Sequence, residues 1–317
     1  MAENILHTKS GVELIQDEYT LQTPEFEFIA GMRGHPNGEF GGYTSFGFDG
    51  VLLDDYLEVV NSGRVETLSF TYGIDCREKT IIINIDKIED LLKIGRLFFK
   101  LKTKALISLD QQRWGDFHLL NEISLKGTFA PDNFPLENIA HRLGIFETSF
   151  EIFEKIYTRL DRLQTLRLIE SDKKWVGNEF NIVKNLKRLH FDSCSIKTLD
   201  MIAPLKEIKI LVLAGCRSLN DMSILPTIKS LEHLVISECR NIKDWNFLRD
   251  MPWLKSVSLT KSIDATIISD MPNLRFLCID NPKKGGQQIW CKNPQDKVFG
   301  KVMGFDMQAL VNEGVIS

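Results

Sequence analysis

Catalysis and metal binding need histidines, cysteines, carboxylates or hydroxyls held together at a few characteristic spacings. This chain of 317 residues offers six histidines and six cysteines for the purpose. The histidines, His7, His35, His118, His141, His190 and His233, are scattered, and no His-Glu-x-x-His or comparable ligand spacing joins any two of them. No Cys-x-x-Cys pair of the zinc or redox kind occurs. Neither a Gly-x-x-x-x-Gly-Lys-Ser/Thr loop nor a Gly-x-Gly-x-x-Gly turn is present, and Lys283-Lys284-Gly285-Gly286 lacks the following helix start that would aim amides at a phosphate. No Gly-x-Ser-x-Gly elbow presents a nucleophile. Acidic neighbours such as Asp54-Asp55 and Glu89-Asp90 do not share a face of a helix, so they read as solvated surface. The residue types therefore single out no catalytic group, no metal and no cofactor, and the sequence reads as that of a non-enzyme.

Three of the cysteines carry a different signal. Cys194, Cys216 and Cys239 lie 22 and 23 residues apart, and each closes the same apolar spacing. The units are Leu186-x-x-Leu189-x-Phe191-x-x-Cys194, Ile208-x-x-Leu211-x-Leu213-x-x-Cys216 and Leu231-x-x-Leu234-x-Ile236-x-x-Cys239. The frame extends upstream to Leu163-x-x-Leu166-x-Leu168-x-x-Ser171. Downstream it gives Leu254-x-x-Val257-x-Leu259-x-x-Ser262 and Leu274-x-x-Leu277-x-Ile279, which runs into Asn281-Pro282. Between these runs an apolar residue returns every third position, as in Ile196, Leu199, Ile202, Leu205 and Ile208, which predicts a helical or 3₁₀ return segment facing a core. One such unit cannot bury its apolar side alone, so neighbours must stack and their strands must form a parallel, curved sheet. Within each strand the aliphatics point inward and the residues between them face outward, onto the concave surface.

On these residues the chain resembles the leucine-rich-repeat superfamily, specifically the short 22–23-residue class of bacterial internalin-like proteins, over residues 163–281. The resemblance implies an α/β fold, a leucine-rich-repeat solenoid with a curved parallel sheet, short helical or 3₁₀ convex segments and terminal caps. It also implies a protein-binding module. Two departures stand out: cysteine or serine occupies the place where many repeats have asparagine, and the repeat from Leu254 is shortened to 20 residues. A thiol in that inward column behaves as a small hydrophobe of low reactivity, whereas Cys278, on an outward position, and Cys291, in the tail, are the candidates for access.

The rest of the chain divides around this block. Residues 1–60 lack the period and show runs punctuated by glycine and aromatics, such as Phe26-Glu27-Phe28, which read as strands and turns of an N-terminal cap or of a small independent module. Residues 61–162 read as degenerate repeats with helical inserts, framed by Val65-x-x-Leu68-x-Phe70, Leu120-x-x-Ile123-x-Leu125 and Ala140-x-x-Leu143-x-Ile145. Capping boxes at Asp86 with Glu89 and at Thr148 with Glu151 predict helices over Ile88–Leu101 and Ile152–Leu160. Residues 282–317 read as a C-terminal cap or tail, with Trp290 as its anchor and a helix over Asp306–Val311.

The outward columns define the candidate site. Arg167, His190, Val212 and Val235 form the middle column, Arg188, Ile210, His233 and Phe276 the one before it, and Asp192 belongs to the one after it. Ile210, Val212 and Val235 are expected to lie exposed together inside a charged rim, as protein-binding surfaces do. The partner expected is another protein, a toxin or effector being one form of it. The well-mixed charges, with a formal net of −4, argue against nucleic acid and an anionic membrane. With no apolar stretch long enough for a signal core or a membrane span, the chain reads as cytoplasmic. An inhibitor of the immunity type is one version of this reading. Its rivals are an effector or enzyme whose activity lies near the N-terminus, with the repeats selecting substrate, and a structural scaffold. The oligomeric state is left open.

Overall fold

The structure is a computed structural model that describes side chains between residues 91 and 278, apart from 93, 96, 98–111, 126–133, 170–179, 261–266, 268–270 and 276. Elsewhere it describes only the backbone of the strands and 3₁₀ turns given below. The chain forms two compact units, Met1–Ser171 and Asp172–Ser317.

In the first unit, strands β1 (Ile5–His7), β2 (Glu13–Ile15), β3 (Glu18–Gln22), β4 (Phe26–Gly31) and β5 (Gly42–Tyr43) come from the region without the repeat. They are followed by β6 (Thr67–Tyr72), β7 (Thr80–Asn84), β8 (Arg96–Lys100), β9 (Lys104–Ser108), β10 (Glu122–Lys126), β11 (Ile145–Thr148) and β12 (Thr165–Ile169). The sheet order is β12-β11-β10-β8-β6-β4-β3, with β5 beside β6. The pairing is parallel from β6 to β12 and antiparallel from β6 through β4 to β3. β1 and β2 pair with each other alone.

The register corrects three sequence expectations in this unit. Arg96–Lys100 is strand, not part of a helix over Ile88–Leu101, and Leu97 pairs with Leu68 on one side and Ile123 on the other. Ile94-x-x-Leu97-x-Phe99 is therefore a further repeat. A spacing of three is common to a helix face and to the run-in of this strand unit, and lateral pairing decides for the strand. Second, the frame at Ala140 is shifted by three: Phe146 aligns with Leu166 and Thr148 with Leu168, so the unit is Leu143-x-x-Phe146-x-Thr148. Third, Thr148 points inward, fully buried and with its hydroxyl unpartnered, so it forms no capping box. The helix that follows is Phe150–Ile156, its N-cap is Ser149, and it continues as a 3₁₀ turn at Tyr157–Arg159. The return segments flanking β8 include strands β7 and β9, which pair in parallel, in keeping with the β-branched run Ile81-Ile82-Ile83. The capping residues Asp86 and Glu89 lie outside the described residues.

The second unit repeats with little variation. Strands β13 (Arg188–Asp192), β14 (Ile210–Ala214), β15 (His233–Ser237), β16 (Ser256–Leu259) and β17 (Phe276–Asn281) pair in parallel, in sequence order. Leu189, Leu211, Leu234, Val257 and Leu277 stand in one row, and Phe191, Leu213, Ile236, Leu259 and Ile279 in the next. Together with the topology, this in-register ladder makes the fold a leucine-rich-repeat solenoid. Strand β18 (Gly286–Cys291) closes the ladder antiparallel to β17, with Trp290 opposite Leu277. The expected helix over Asp306–Val311 and the side chain of Trp290 lie outside the described residues. The return segments are 3₁₀ turns at Glu179–Asn181, Asp200–Ile202, Leu225–Thr227 and Asn246–Asp250, and their every-third-residue aliphatics are buried. Among the described residues no helix is long and apolar enough to cross a membrane.

The thiols form the ladder that the spacing implies. Cys216 Sγ donates to the carbonyls of Ala214 and Phe191, and Cys239 Sγ to those of Ser237 and Leu213, so each ties its own turn to the strand one repeat back. The hydrogen bond with Cys239 and burial raise the Cys216 thiol well above the ordinary range, which keeps it protonated and unreactive. One residue before each cysteine, Ser193, Gly215 and Glu238 share a positive φ of 56°, 62° and 51°. At Gly215 a Cβ would meet Ser193 Oγ at 3.0 Å.

Chemical denaturation tests this packing. Leu211→Ala is expected to cost about 2–5 kcal/mol, because its neighbours in the row cannot collapse into the gap. Gly215→Ala is expected to cost about 1–2 kcal/mol through its left-handed backbone. Wild-type stability in Leu211→Ala would contradict the stacked core.

Candidate functional site

The register reproduces the outward columns of the second unit. Arg188, Ile210, His233, Ser256 and Phe276 are neighbours across the strands, as are His190, Val212, Val235, Ser258 and Cys278, while Asp192 aligns with Ala214 and Ser237. The side chain of Phe276 lies outside the described residues. Arg167 belongs to the first unit, where its Nη1 pairs with Glu147 Oε1 at 2.9 Å and Ser124 Oγ donates to Glu147 Oε2 at 2.5 Å. Ser124, Glu147 and Arg167 are in register, so the charge of Arg167 is answered within its own column. Glu147 is missing from the expected columns because the frame expected around Ala140 lies three residues off.

The expected exposed patch is corrected. Ile210 is only 3% exposed and Val235 8%, leaving Val212 as the half-buried member of the trio. Alternation along a strand fixes which way a side chain points, but neighbouring strands at about 4.8 Å decide whether water reaches it. Ile210 stands between Arg188 and His233, and Val235 between Val212 and Ser258. Cys278, expected to be accessible, is likewise buried at 1% exposure. Cys291 lies outside the residues whose side chains are described.

Charge gathers at the leading edge of the sheet, where the chain runs into each strand. The residue between the first two apolar positions is Lys187, Lys209, Glu232, Lys255 and Arg275 in successive repeats. Backbone bonds hold this row in line: Lys209 N–H donates to Lys187 O, Glu232 to Lys209 O, Lys255 to Glu232 O and Arg275 to Lys255 O. Glu232 sits between Lys255 Nζ at 2.5 Å and Lys209 Nζ at 3.6 Å, and Lys187 pairs with Glu207. Burial raises the Glu232 carboxyl, but the hydrogen bond and charge of Lys255, with Lys209 and His233 behind it, outweigh burial and leave it below its usual value. This row is present in the repeat spacing, one position ahead of the strand, and outward columns counted within the strand alone leave it out.

His233 is the titrating group of the site. It is 4% exposed, its Nδ1 is hydrogen-bonded with Ser256 Oγ at 2.8 Å, and its Nε2 lies 3.8 Å from Glu232. A proton on Nε2 lets Ser256 donate to Nδ1 and turns the Nε2–H toward the carboxylate. Burial is the largest influence and pushes its pKa down to about 4; Glu232 opposes the change, and Lys255, Lys209 and Arg188 reinforce it. Arg188 is half-buried, and desolvation lowers the pKa of its guanidinium from the ordinary value. No carboxylate pairs with it among the described residues. Also among the described residues, no group of three or more histidine, cysteine or carboxylate side chains is arranged to hold a metal.

Neither a protein-family model nor a curated protein sequence matches the chain. Solved structures of similar architecture include internalin C2 of Listeria monocytogenes, 18% identical, covering 62% of this chain and 75% of that one with a TM-score of 0.36. A leucine-rich-repeat protein of Leptospira interrogans is 15% identical over 71% of this chain and 57% of its own, with a TM-score of 0.35. Toll, in the Drosophila Toll–Spätzle complex, is 12% identical over 84% of this chain and 35% of its own, with a TM-score of 0.43. The assignment of the fold rests on the in-register ladder itself.

Because His233 is neutral in the folded state, its contribution to stability is complete above about pH 6.5 and is lost as the pH falls through 6.5 toward 4. Glu232, whose pKa is also lowered in the folded state, acts in the same sense but at lower pH, below its ordinary value of 4.5, so the histidine dominates the window from about pH 6.5 to 4.5. Over that window the wild type is expected to lose about 2–3 kcal/mol more than His233→Gln. Parallel pH profiles of unfolding free energy for the two proteins would refute a buried neutral imidazole.

Proposed function

We propose that the protein acts by binding another protein, which it receives on the outward face of the second unit around Arg188, His190 and Val212. The observation that carries this reading is Arg188. Among the described residues it is a partly desolvated cation with no carboxylate partner, beside the covered aliphatic Ile210, whereas Arg167 in the first unit is already paired with Glu147. A cation stripped of some of its water and left without a counter-charge costs free energy, and a partner's carboxylate would return it. Arginine beside aliphatic side chains is also the composition of residues that dominate interface energies. Asp192 and Ser193, with the serine hydroxyl donating to the carboxylate at 3.1 Å, supply polar groups at the far end of the same strand.

The reading is one of occlusion or tethering without chemical turnover. A cytoplasmic inhibitor of the immunity type, neutralising a bacterial toxin or effector, is the specific form we favour, since such a protein needs a rigid face and no reactive group. Stacked repeats supply that rigidity, each held on both sides by its neighbours.

Affinity capture from the native cell by the tagged full-length chain, read by mass spectrometry, is expected to recover a protein partner in a nuclease-resistant complex. Arg188→Glu is expected to weaken that complex by roughly tenfold or more while leaving the unfolding midpoint near that of the wild type. Undiminished capture by Arg188→Glu would place the interface elsewhere. A complex that dissolves on nuclease treatment would point to nucleic acid.

A further inference from the structure

The leading edge of the second unit contains a cleft of about 400 Å³ that belongs to no part of the face described above. Lys229, Glu232, Trp253, Lys255 and Arg275 line it, with Pro272 as an apolar wall. Its charges do not cancel. Glu232 is already held by Lys255 at 2.5 Å and Lys209 at 3.6 Å, so it neutralises nothing further. Lys229 Nζ stands 3.7 Å from the centre of the Trp253 ring, which holds the ammonium by its charge against the aromatic face and leaves it without an anion among the described residues. Arg275 is exposed and has no ion pair among the described residues. A chain with a formal net charge of −4 thus places two uncommitted cations in one aromatic-walled cleft.

We propose that this cleft is a docking site for an acidic segment of a protein partner, one carboxylate bridging Lys229 and Arg275 while its methylenes lie against Trp253 and Pro272. Arg275 offers a planar, two-pronged donor suited to a carboxylate, and Lys229 a point charge oriented by the indole. The resident Glu232 selects among anions. It repels a doubly charged phosphate more than a single carboxylate, and two free cations are too few for a nucleic-acid backbone, which is bound through a series of phosphate contacts. The assignment rests on the protein-binding reading above and adds to it the chemistry of the partner and a second contact region.

The test uses the full-length protein and a fluorescein-labelled octaglutamate peptide followed by fluorescence anisotropy. Saturable binding that weakens with added salt is expected, as is a loss of roughly tenfold or more in Lys229→Glu/Arg275→Glu. Lys243→Glu, which makes a single charge reversal at an exposed position outside the cleft, is expected to bind much as the wild type does. Both cleft residues are exposed, and Lys229→Gln/Arg275→Gln serves as the milder variant should the reversal disturb folding. Three results would overturn the proposal: no saturable binding, equal binding by wild type and both cleft variants, or an oligothymidylate of the same length binding as tightly as the peptide. If the cleft variants leave capture of the native partner intact and only Arg188→Glu abolishes it, the cleft assignment fails while the binding reading stands. If instead the cleft variants lose both the peptide and the native partner while Arg188→Glu captures that partner undiminished, the cleft assignment stands and the reading around Arg188 fails.

Discussion

The whole architecture depends on one constraint: an aliphatic row can be buried only by the identical row of the next repeat. Leu189, Leu211 and Leu234 are each fully buried, yet no single strand of five residues has a second layer of its own to hide them. Burial of each such side chain stabilises by about 1.5–3 kcal/mol, and that gain exists only in register. A slip of one residue would turn the row to solvent and bring the outward charges inside. The stack therefore fixes more than stability. It sets which residues become neighbours across strands, and every feature of the outward face and leading edge is a consequence of that alignment.

The thiol column shows how the constraint shapes chemistry. Each turn after a strand must satisfy a carbonyl of its own and one from the repeat before it, and the side chain that does so has to fit an almost dry space. Cys216 and Cys239 meet that demand with weak donors at 3.4–3.7 Å. The turn that presents them needs a left-handed residue, which Gly215 adopts freely and Ser193 and Glu238 adopt at some cost. Glu238 is helped by its own N–H, which donates to Thr260 Oγ1 in the next repeat at 2.8 Å. The same surroundings that make the thiols useful as struts hide them from solvent and hold Cys216 protonated, so the column is part of the frame.

Legibility follows the strength of the periodic signal. In the second unit the cysteines mark the frame, and the strands, their inward rows and their 3₁₀ returns all lie where the spacing puts them. In the first unit one substitution and one ambiguous spacing blur it. Thr148 occupies an inward place usually taken by an aliphatic residue, so the pattern around Ala140 matches the repeat best in a frame that begins three residues early. Ile94 and Leu97 fit a helix face as well as a strand run-in, because a separation of three serves both. The direction of the outward side chains is readable in the second unit, but their exposure is not. Whether Ile210 and Val235 meet water is decided by Arg188, His233, Val212 and Ser258 on adjoining strands, and that is a property of pairing, which no single repeat encodes.

The charged edge follows from the same alignment. Because successive repeats bring position-equivalent residues side by side, Lys209, Glu232 and Lys255 must face one another, and a carboxylate between two ammoniums is the arrangement of least repulsion. That triad shifts the neighbouring imidazole as well. The Lys209 and Lys255 ammoniums disfavour protonation of His233, which burial has already made unfavourable, and only Glu232 works the other way. A row of four cations with one acid cannot be balanced along its full length, however, and the excess falls where Glu232 has no reach. Arg275 lies on the far side of Lys255, and Lys229 is turned onto an indole. Periodic stacking thus produces local charge imbalance in an acidic chain without any dedicated insertion. That imbalance is where a partner of opposite sign gains most, because the protein's own described residues leave the charge unanswered.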